Sequence, residues 1–433
     1  MYIRHSLTIK YMSVLLKSDS VIVSGQTPLF GTVTTQGSKN SALPLLASLP
    51  LFDEVEITNV PDLTDIHVMV DTLKYLGATG SFSEGVVKLD LRNIMNRPIS
   101  EEFTNKLRAS SLFLGSLLGR FGEARVGMPG GCVIGSRPLD IHLNGFKSLG
   151  AEVDKGAGNI TVTTNGLEGQ FTLPLPSVGA TQNLIYASVF SPSEVKLHNI
   201  AIEPEIFELV DFLNAAGANI TFENPKTLTI RGVKRLNRIQ FKVQPDRIEA
   251  FTLLVAGVAT KGSVKVTHCC PEHLTAPLQA LMDMGAKVEV GDDWIEASYV
   301  GPLKGIQVET GFYPAFPTDC QQQISILMAL AETPSILSEK VFNSRFRHLD
   351  ELRNMGAEIK INDNSAVIQR SENEKGMIGC KVDSYDLRGA ASMIIAGMAS
   401  EGVTTVQSLR YLYRGYEEFI EKLNRLGAEI SYR

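Results

Sequence analysis

Six times along the chain an apolar stripe with helical spacing runs out at a glycine and gives way to alternation of period two. The junctions read Leu76-Gly77-Ala78, Leu149-Gly150-Ala151, Ala216-Gly217-Ala218, Met284-Gly285-Ala286, Met355-Gly356-Ala357 and Leu426-Gly427-Ala428. Their glycines lie 73, 67, 68, 71 and 71 residues apart, too regular for chance and longer than the common solenoid repeats. A left-handed glycine ends a helix without a Cβ penalty, and the β-branched residue that follows in five of the six begins a strand.

The third repeat shows the full pattern. A helix is expected over 177–190, a strand over 194–198, and a second helix opening at Glu203-Pro204-Glu205 with Leu209, Phe212 and Leu213 as its apolar stripe. Short strands follow at 219–222 and 227–230. The sixth repeat stops at Tyr432-Arg433, before its second strand, whereas the run Ser20-Val21-Ile22-Val23-Ser24 precedes no repeat of its own and is expected to complete the sixth. Six such modules exceed what one core usually holds, so two lobes of three are expected. One would comprise 19–38 with 245–433, the other 39–244, with 1–18 as an N-terminal extension and the cleft between the lobes as the ligand site.

Composition narrows the function classes. With 44% hydrophobic and 20% charged residues the chain is an ordinary globular one, and a net charge of −6 gives no electrostatic reason to bind nucleic acid. The basic clusters Arg345-Phe346-Arg347 and Arg231 to Arg238 read first as solvated faces. No stretch is long and apolar enough to span a membrane, and residues 1–17 do not read as a signal peptide; Met12 is an alternative start. Five cysteines at irregular spacing, Cys132, Cys269, Cys270, Cys320 and Cys380, argue for reduced thiols in the cytoplasm. His268-Cys269-Cys270 with His273 is read as no metal site, because adjacent cysteines seldom converge on one zinc and no second ligand pair follows.

The residues at the start of each repeat's first helix carry the chemistry. In order they are Lys39-Asn40, Arg108, Ser177-Val178-Gly179, Asp246-Arg247, Thr318-Asp319 and Asp386 with Arg388. Helix N-termini offer N–H donors and a positive dipole end, and Lys and Arg beside them suit phosphate and carboxylate. For any one of them simple capping competes; Asp319 begins a helix in either case. The strongest local signal is Pro129-Gly130-Gly131-Cys132-Val133-Ile134-Gly135-Ser136-Arg137-Pro138-Leu139-Asp140. Its glycines suit a mobile lid over 125–136, and an arginine five residues after the thiol can favour the thiolate.

With Gly37-Ser38-Lys39-Asn40, Leu107-Arg108-Ala109-Ser110, Pro129-Gly130-Gly131-Cys132, Gly135 to His142, Pro314 to Asp319, Asn343-Ser344-Arg345-Phe346 and Asp386-Leu387-Arg388, the chain resembles the UDP-N-acetylglucosamine 1-carboxyvinyltransferase family from Val21 onward. The sister 3-phosphoshikimate enzymes share the six-repeat fold and lack the cysteine loop. The resemblance implies a two-lobed inside-out α/β barrel, no metal and no cofactor. It implies transfer of the enolpyruvyl group of phosphoenolpyruvate to the 3-hydroxyl of the nucleotide sugar, with loss of phosphate, at the first committed step of peptidoglycan synthesis. The partners implied are small-molecule substrates, handled by a monomer or weak homo-oligomer.

Residue by residue, the resemblance makes Cys132 the acid and Asp319 the base or orienter, with Lys39 and Arg414 also in the catalytic set. Lys39, Asn40, Arg137, Arg345 and Arg414 match contacts to phosphoenolpyruvate. Arg108, Arg137, Pro138, Leu139, Asp140, Ile141, Ser177, Val178, Asp319 and Val341 match contacts to the UDP-sugar, with Asp386 and Arg388 in support. The chain departs from the family at Leu175, where a lysine is usual, at Tyr411 and Tyr413 in place of histidine and aspartate before Arg414, and at Tyr385. Those departures fall at the nucleotide end, so a paralogue using another uridine nucleotide such as UMP, or a non-catalytic nucleotide-binding regulator, stands as the alternative.

Overall fold

The computed structural model describes residues 18–128, 139–156, 158–343, 345–372 and 376–433. All six junction glycines are left-handed, with φ between 95° and 118°. In each, the alanine after the glycine donates its N–H to the carbonyl five residues back: Ala78 to Leu73, Ala151 to Phe146, Ala218 to Leu213, Ala286 to Leu281, Ala357 to Leu352 and Ala428 to Leu423. That bond closes a Schellman cap, which explains why the sequence repeats glycine and alanine together.

In the third repeat the helix is Val178–Ser188, capped by Ser177, whose Oγ accepts from Ala180 N at 3.4 Å. The strand Val195–His198 and the helix Pro204–Ala215, with proline at its first turn, follow, then the antiparallel pair Asn219–Asn224 and Thr227–Arg231. These elements stand where the hydrophobic pattern puts them, to within two residues at most ends.

The strands show how repeats are joined. After each first helix comes a strand that pairs antiparallel with its own repeat and parallel with a strand from another. Gly169–Thr172, from the tail of the second repeat, lies along Val195–His198 of the third. Ile239–Lys242, from the tail of the third, returns to Glu54–Thr58 of the first. The first repeat passes only Ile99 to the second, as a parallel bridge to Val126. The later three repeat the scheme: Gln307–Glu309 joins Ser335–Ser338, and Lys381–Asp383 joins Val403–Gln407. The sixth repeat takes its tail from the start of the chain, since Phe30–Thr34 lies parallel to Ser263–Thr267 of the fourth. Ser20–Ser24 fills the sixth sheet, between Val403–Gln407 and Ile430–Tyr432.

Two rings of three repeats result, and each is a compact unit. The split lobe holds described residues of 18–36 and 245–433; the continuous lobe holds those of 37–244. Within each, the first helices are inside and the sheets outside. Every residue of Arg247–Ala259 is buried, as are nearly all of Lys39–Ser48, Val178–Ser188, Gln321–Leu330 and Leu387–Ala399. A helix apolar on every side belongs in such a position. Its N-terminus is then the place where polar groups can reach the surface of the lobe.

Candidate active site

In the split lobe three helix starts carry an interlocked set of charges. Asp319 sits in the 3-10 turn Thr318–Cys320 that leads into Gln321–Leu330. Its Oδ1 lies 2.8 Å from Arg345 Nη2 and its Oδ2 lies 3.4 Å from Arg388 Nη2. Arg345 also donates to Thr318 Oγ1 at 2.9 Å, and its carbonyl accepts from Gln321 Nε2 at 2.8 Å.

Asp386 caps the helix Leu387–Ala399: its Oδ1 accepts from Arg388 N at 2.9 Å and Gly389 N at 3.0 Å, and its Oδ2 accepts from Gln322 Nε2 at 2.8 Å. Burial works against the charge on Arg345, but the carboxylates of Asp319 and Asp386 outweigh it and raise its pKa. For Arg388, with 1% of its surface exposed, burial is outweighed by the Tyr416 hydroxyl and then by the carboxylates of Asp319 and Asp246, which raise its pKa, and its guanidinium lies 5.2 Å from the centre of the Tyr416 ring. Behind this layer His348 Nε2 lies 3.1 Å from Ser325 Oγ, and burial lowers its pKa to about 4. Arg414 ends the 3-10 turn Leu409–Arg414, half-buried. The Val341 N–H is taken by Glu339 Oε1 at 2.8 Å.

The continuous lobe presents a different set. Lys39 opens Lys39–Ser48, and its Nζ lies 2.8 Å from Asp65 Oδ2, with side chains 7% and 3% exposed. Asn40 follows, half-buried. Arg108, half-buried, begins the 3-10 turn Arg108–Leu112 that runs into Phe113–Phe121. Leu139, Asp140 and Ile141 form the start of Asp140–Ser148, where Asp140 meets Lys155 at 2.8 Å in solvent. Ser177 and Val178 begin the third helix, beside Gly179; a Cβ on Gly179 would come within 3.2 Å of His142 Cε1 and 3.4 Å of its Nε2. His142 Nδ1 lies 2.8 Å from Asn183 Nδ2, whose amide is fixed by Ser111 O and Gly115 N. Nδ1 is therefore the acceptor and the ring is neutral; burial, then the Arg108 charge, lower its pKa to about 4.

Cys132, Arg137 and Pro138, with most of the expected lid, lie outside the described residues. Among the rest, the split lobe gathers Asp319, Arg345, Asp386 and Arg388 into one network. The continuous lobe places Lys39, Arg108, Ser177 and Val178 at helix starts of their own. The sequence reading missed Asp65, Asn183, His142, Gln322 and Tyr416. Asp65 left a signal, an acid beside Ile66 and Met69 in an otherwise apolar stripe. Leu175, where the family usually has a lysine, is 43% exposed. Tyr413 donates to Ser18 O at 3.4 Å, and burial lifts its pKa to about 12.

Cys269 is a core thiol, contacting Val266 O and Asp293 O at 3.6 Å, and burial pushes its pKa up to about 12. Ligand atoms of Cys270, Glu272 and His273 do come within 4.8 Å of one another. No helix among the described residues is long and apolar enough to cross a membrane.

Among solved structures, the enolpyruvyl transferase NikO from Streptomyces tendae superposes with a TM-score of 0.86 at 24% identity, covering 96% of this chain and 99% of that one. An EPSP synthase from Acinetobacter baumannii gives 0.72 at 18% identity, covering 95% and 99%. The fold is that of the enolpyruvyl transferases, an inside-out α/β barrel in two lobes. A family model for EPSP synthase (3-phosphoshikimate 1-carboxyvinyltransferase) matches residues 23–423. UDP-N-acetylglucosamine 1-carboxyvinyltransferase 2 of Carboxydothermus hydrogenoformans is 43% identical over 418 residues, 95% of this chain and 99% of the relative. The UDP-N-acetylglucosamine 1-carboxyvinyltransferase of Pseudoalteromonas atlantica is 41% identical over the same shares. The chain belongs to the enolpyruvyl transferase family, in the company of the UDP-N-acetylglucosamine 1-carboxyvinyltransferases.

Proposed function

We propose that this protein transfers the enolpyruvyl group of phosphoenolpyruvate to the 3-hydroxyl of UDP-N-acetylglucosamine and releases phosphate, at the entry to peptidoglycan synthesis in the cytoplasm. The observation that carries this reading is near-full-length identity of 43% and 41% to relatives named for that reaction. The Asp319 carboxylate between two buried guanidinium groups supports it chemically.

In this mechanism the sugar oxygen adds to C2 of phosphoenolpyruvate, its proton passes to a base, and the C3 methylene gains a proton. The tetrahedral ketal then expels phosphate and loses a proton from C3, restoring the double bond. Asp319 takes the hydroxyl proton by exchanging one of its guanidinium contacts, the 3.4 Å one to Arg388 being the weaker. Cys132 delivers the proton to C3. Lys39, Asn40, Arg137, Arg345 and Arg414 carry the phosphate and carboxylate. The charges of the lysine and arginines oppose those that build up as phosphate leaves, and the Asn40 amide adds a neutral hydrogen-bond donor. Arg108, Pro138, Leu139, Asp140, Ile141, Ser177, Val178 and Val341 hold the nucleotide sugar, with Ser177 and Val178 lending N-terminal helix donors to the diphosphate. The test is phosphate release from phosphoenolpyruvate across a panel of uridine nucleotides. Release with UDP-N-acetylglucosamine is expected; release with UMP alone would retire the assignment.

A further inference from the structure

We propose that Gln36, Glu249 and Lys422 act together as a positioning unit for Arg414, resting on the reading above that Arg414 binds phosphoenolpyruvate. None of the three belongs to the site residues already described. Glu249 is fully buried in the first turn of Arg247–Ala259, and its Oε1 lies 2.7 Å from Lys422 Nζ, whose side chain is 10% exposed. A buried ion pair is a poor source of stability, because desolvating two charges offsets most of their attraction. This pair does something more specific. The second oxygen of Glu249 accepts from the backbone N–H of Gln36 at 2.6 Å, and the Gln36 carbonyl accepts from Asp246 N at 2.9 Å. With its backbone held on both sides, Gln36 turns its whole amide onto the segment just after Arg414.

Its Nε2 donates to Gly415 O at 2.9 Å, and its Oε1 accepts from Glu417 N at 2.6 Å. Between those two contacts the Tyr416 hydroxyl lies 3.0 Å from Thr252 Oγ1, one helical turn beyond Glu249. Gly415 leaves room for Leu387, since a Cβ there would come within 2.2 Å of Leu387 Cδ1. Residues 415–417 are thus fixed by two backbone contacts and one side-chain contact, all tied to Arg247–Ala259. Arg414, the last residue of its 3-10 turn, takes its backbone direction from that clamp. An arginine on a frayed turn would give up backbone as well as side-chain freedom on binding an anion; one whose following backbone is already fixed gives up less.

The test compares Gln36→Met, Lys422→Met and Lys422→Arg with the wild type, reading KM for each substrate, phosphoenolpyruvate binding by calorimetry, and thermal melting. Gln36→Met keeps the ion pair and removes both amide contacts. The expected result is a rise of about tenfold in the phosphoenolpyruvate KM with the nucleotide KM within about twofold. Lys422→Arg should fall between wild type and Lys422→Met, and it keeps the buried carboxylate paired if the methionine variant does not fold. In an Arg414→Ala background the Gln36→Met penalty should vanish, because the cation being positioned is gone. The proposal is overturned if both KM values move together, if the calorimetric affinity for phosphoenolpyruvate is unchanged, or if the penalty survives in the Arg414→Ala background. A wild type that binds phosphoenolpyruvate but releases no phosphate with any nucleotide would instead overturn the proposed reaction, with the calorimetric comparison still deciding the positioning.

Discussion

The two lobes share one repeat and spend their helix starts differently. In the split lobe the starts join acids to arginines: Asp319 with Arg345 and Arg388, Asp386 with its helix and Gln322. In the continuous lobe the starts hold Lys39, Arg108 and the uncharged Ser177-Val178-Gly179, and the acid that pairs with Lys39, Asp65, comes from a second helix. A balanced network keeps a carboxylate anchored for proton transfer, whereas a set of cations and helix N–H groups is suited to receiving anions. The same scaffold therefore carries a charge-balanced network in one lobe and mainly cations and uncharged helix starts in the other, by the choice of a few side chains at equivalent positions.

Removing the Asp319 carboxylate, the base of the proposed reaction, should break this contrast most severely. Asp319→Asn should lower kcat by roughly 10²–10⁴, the span for loss of a general base, while nucleotide affinity measured by calorimetry changes little. Equal losses in kcat and affinity would mean that Asp319 mainly binds. The continuous lobe offers the matching experiment. Lys39→Met leaves the buried Asp65 carboxylate without its 2.8 Å partner and should cost about 3–5 kcal/mol in urea unfolding along with phosphoenolpyruvate binding. Lys39→Met with Asp65→Leu should recover most of the stability and none of the binding. Recovery of binding in the pair would show Lys39 to be structural.

Acid should sharpen the comparison from another side, because each lobe buries one neutral histidine, His142 and His348, each with its pKa lowered to about 4. The unfolded chain takes up these protons below about 6.5, and the folded chain does so only near 4. The stability they contribute is thus fully present above pH 6.5 and falls as the pH drops toward 4, by about 3 kcal/mol at most for each. Unfolding midpoints at pH 7, 5.5 and 4.5 should show that slope, and His142→Asn should flatten its share while keeping an acceptor for Asn183. An unaltered slope would mean that His142 titrates normally. The smallest effect expected is for Leu175→Lys. Because the side chain is 43% exposed, a restored cation should tighten a diphosphate nucleotide by only about 0.5–1 kcal/mol, a gain that salt removes. A gain equally large for UMP would place Leu175 away from the second phosphate.

Much of this was legible from periodicity. The glycine junctions, the helix starts and the completion of the sixth sheet by Ser20–Ser24 follow from patterns local to a few residues. The outer strands were not legible, since Gly169–Thr172, Gln307–Glu309 and Lys381–Asp383 are three or four residues long and pair with a different repeat. Site residues that match a motif were found one at a time. Their partners were not: Asp65 for Lys39 and Gln322 for Asp386 are selected by tertiary packing, which no local spacing records. Asp319 lay between: its place at a helix start was legible, but the contacts of its two oxygens with Arg345 and Arg388 were not.

The closure of each ring by a returning strand sets an order of assembly during synthesis. The continuous lobe owns all its strands once Ile239–Lys242 has left the ribosome, so it can fold while the rest is still being made. The split lobe cannot: Phe30–Thr34 waits for Ser263–Thr267, and Ser20–Ser24 waits for Val403–Gln407 and Ile430–Tyr432, at the far end of the chain. Through most of translation those two early strands are open edges, the kind that recruit neighbours on a polysome. In the finished fold Arg433 N donates to Ser20 O at 3.1 Å, so a short linker could join 433 to 18 and the chain could be reopened between 244 and 245. A protein permuted in that way would make each lobe in one uninterrupted stretch, and its co-translational yield without chaperones should exceed that of the natural order.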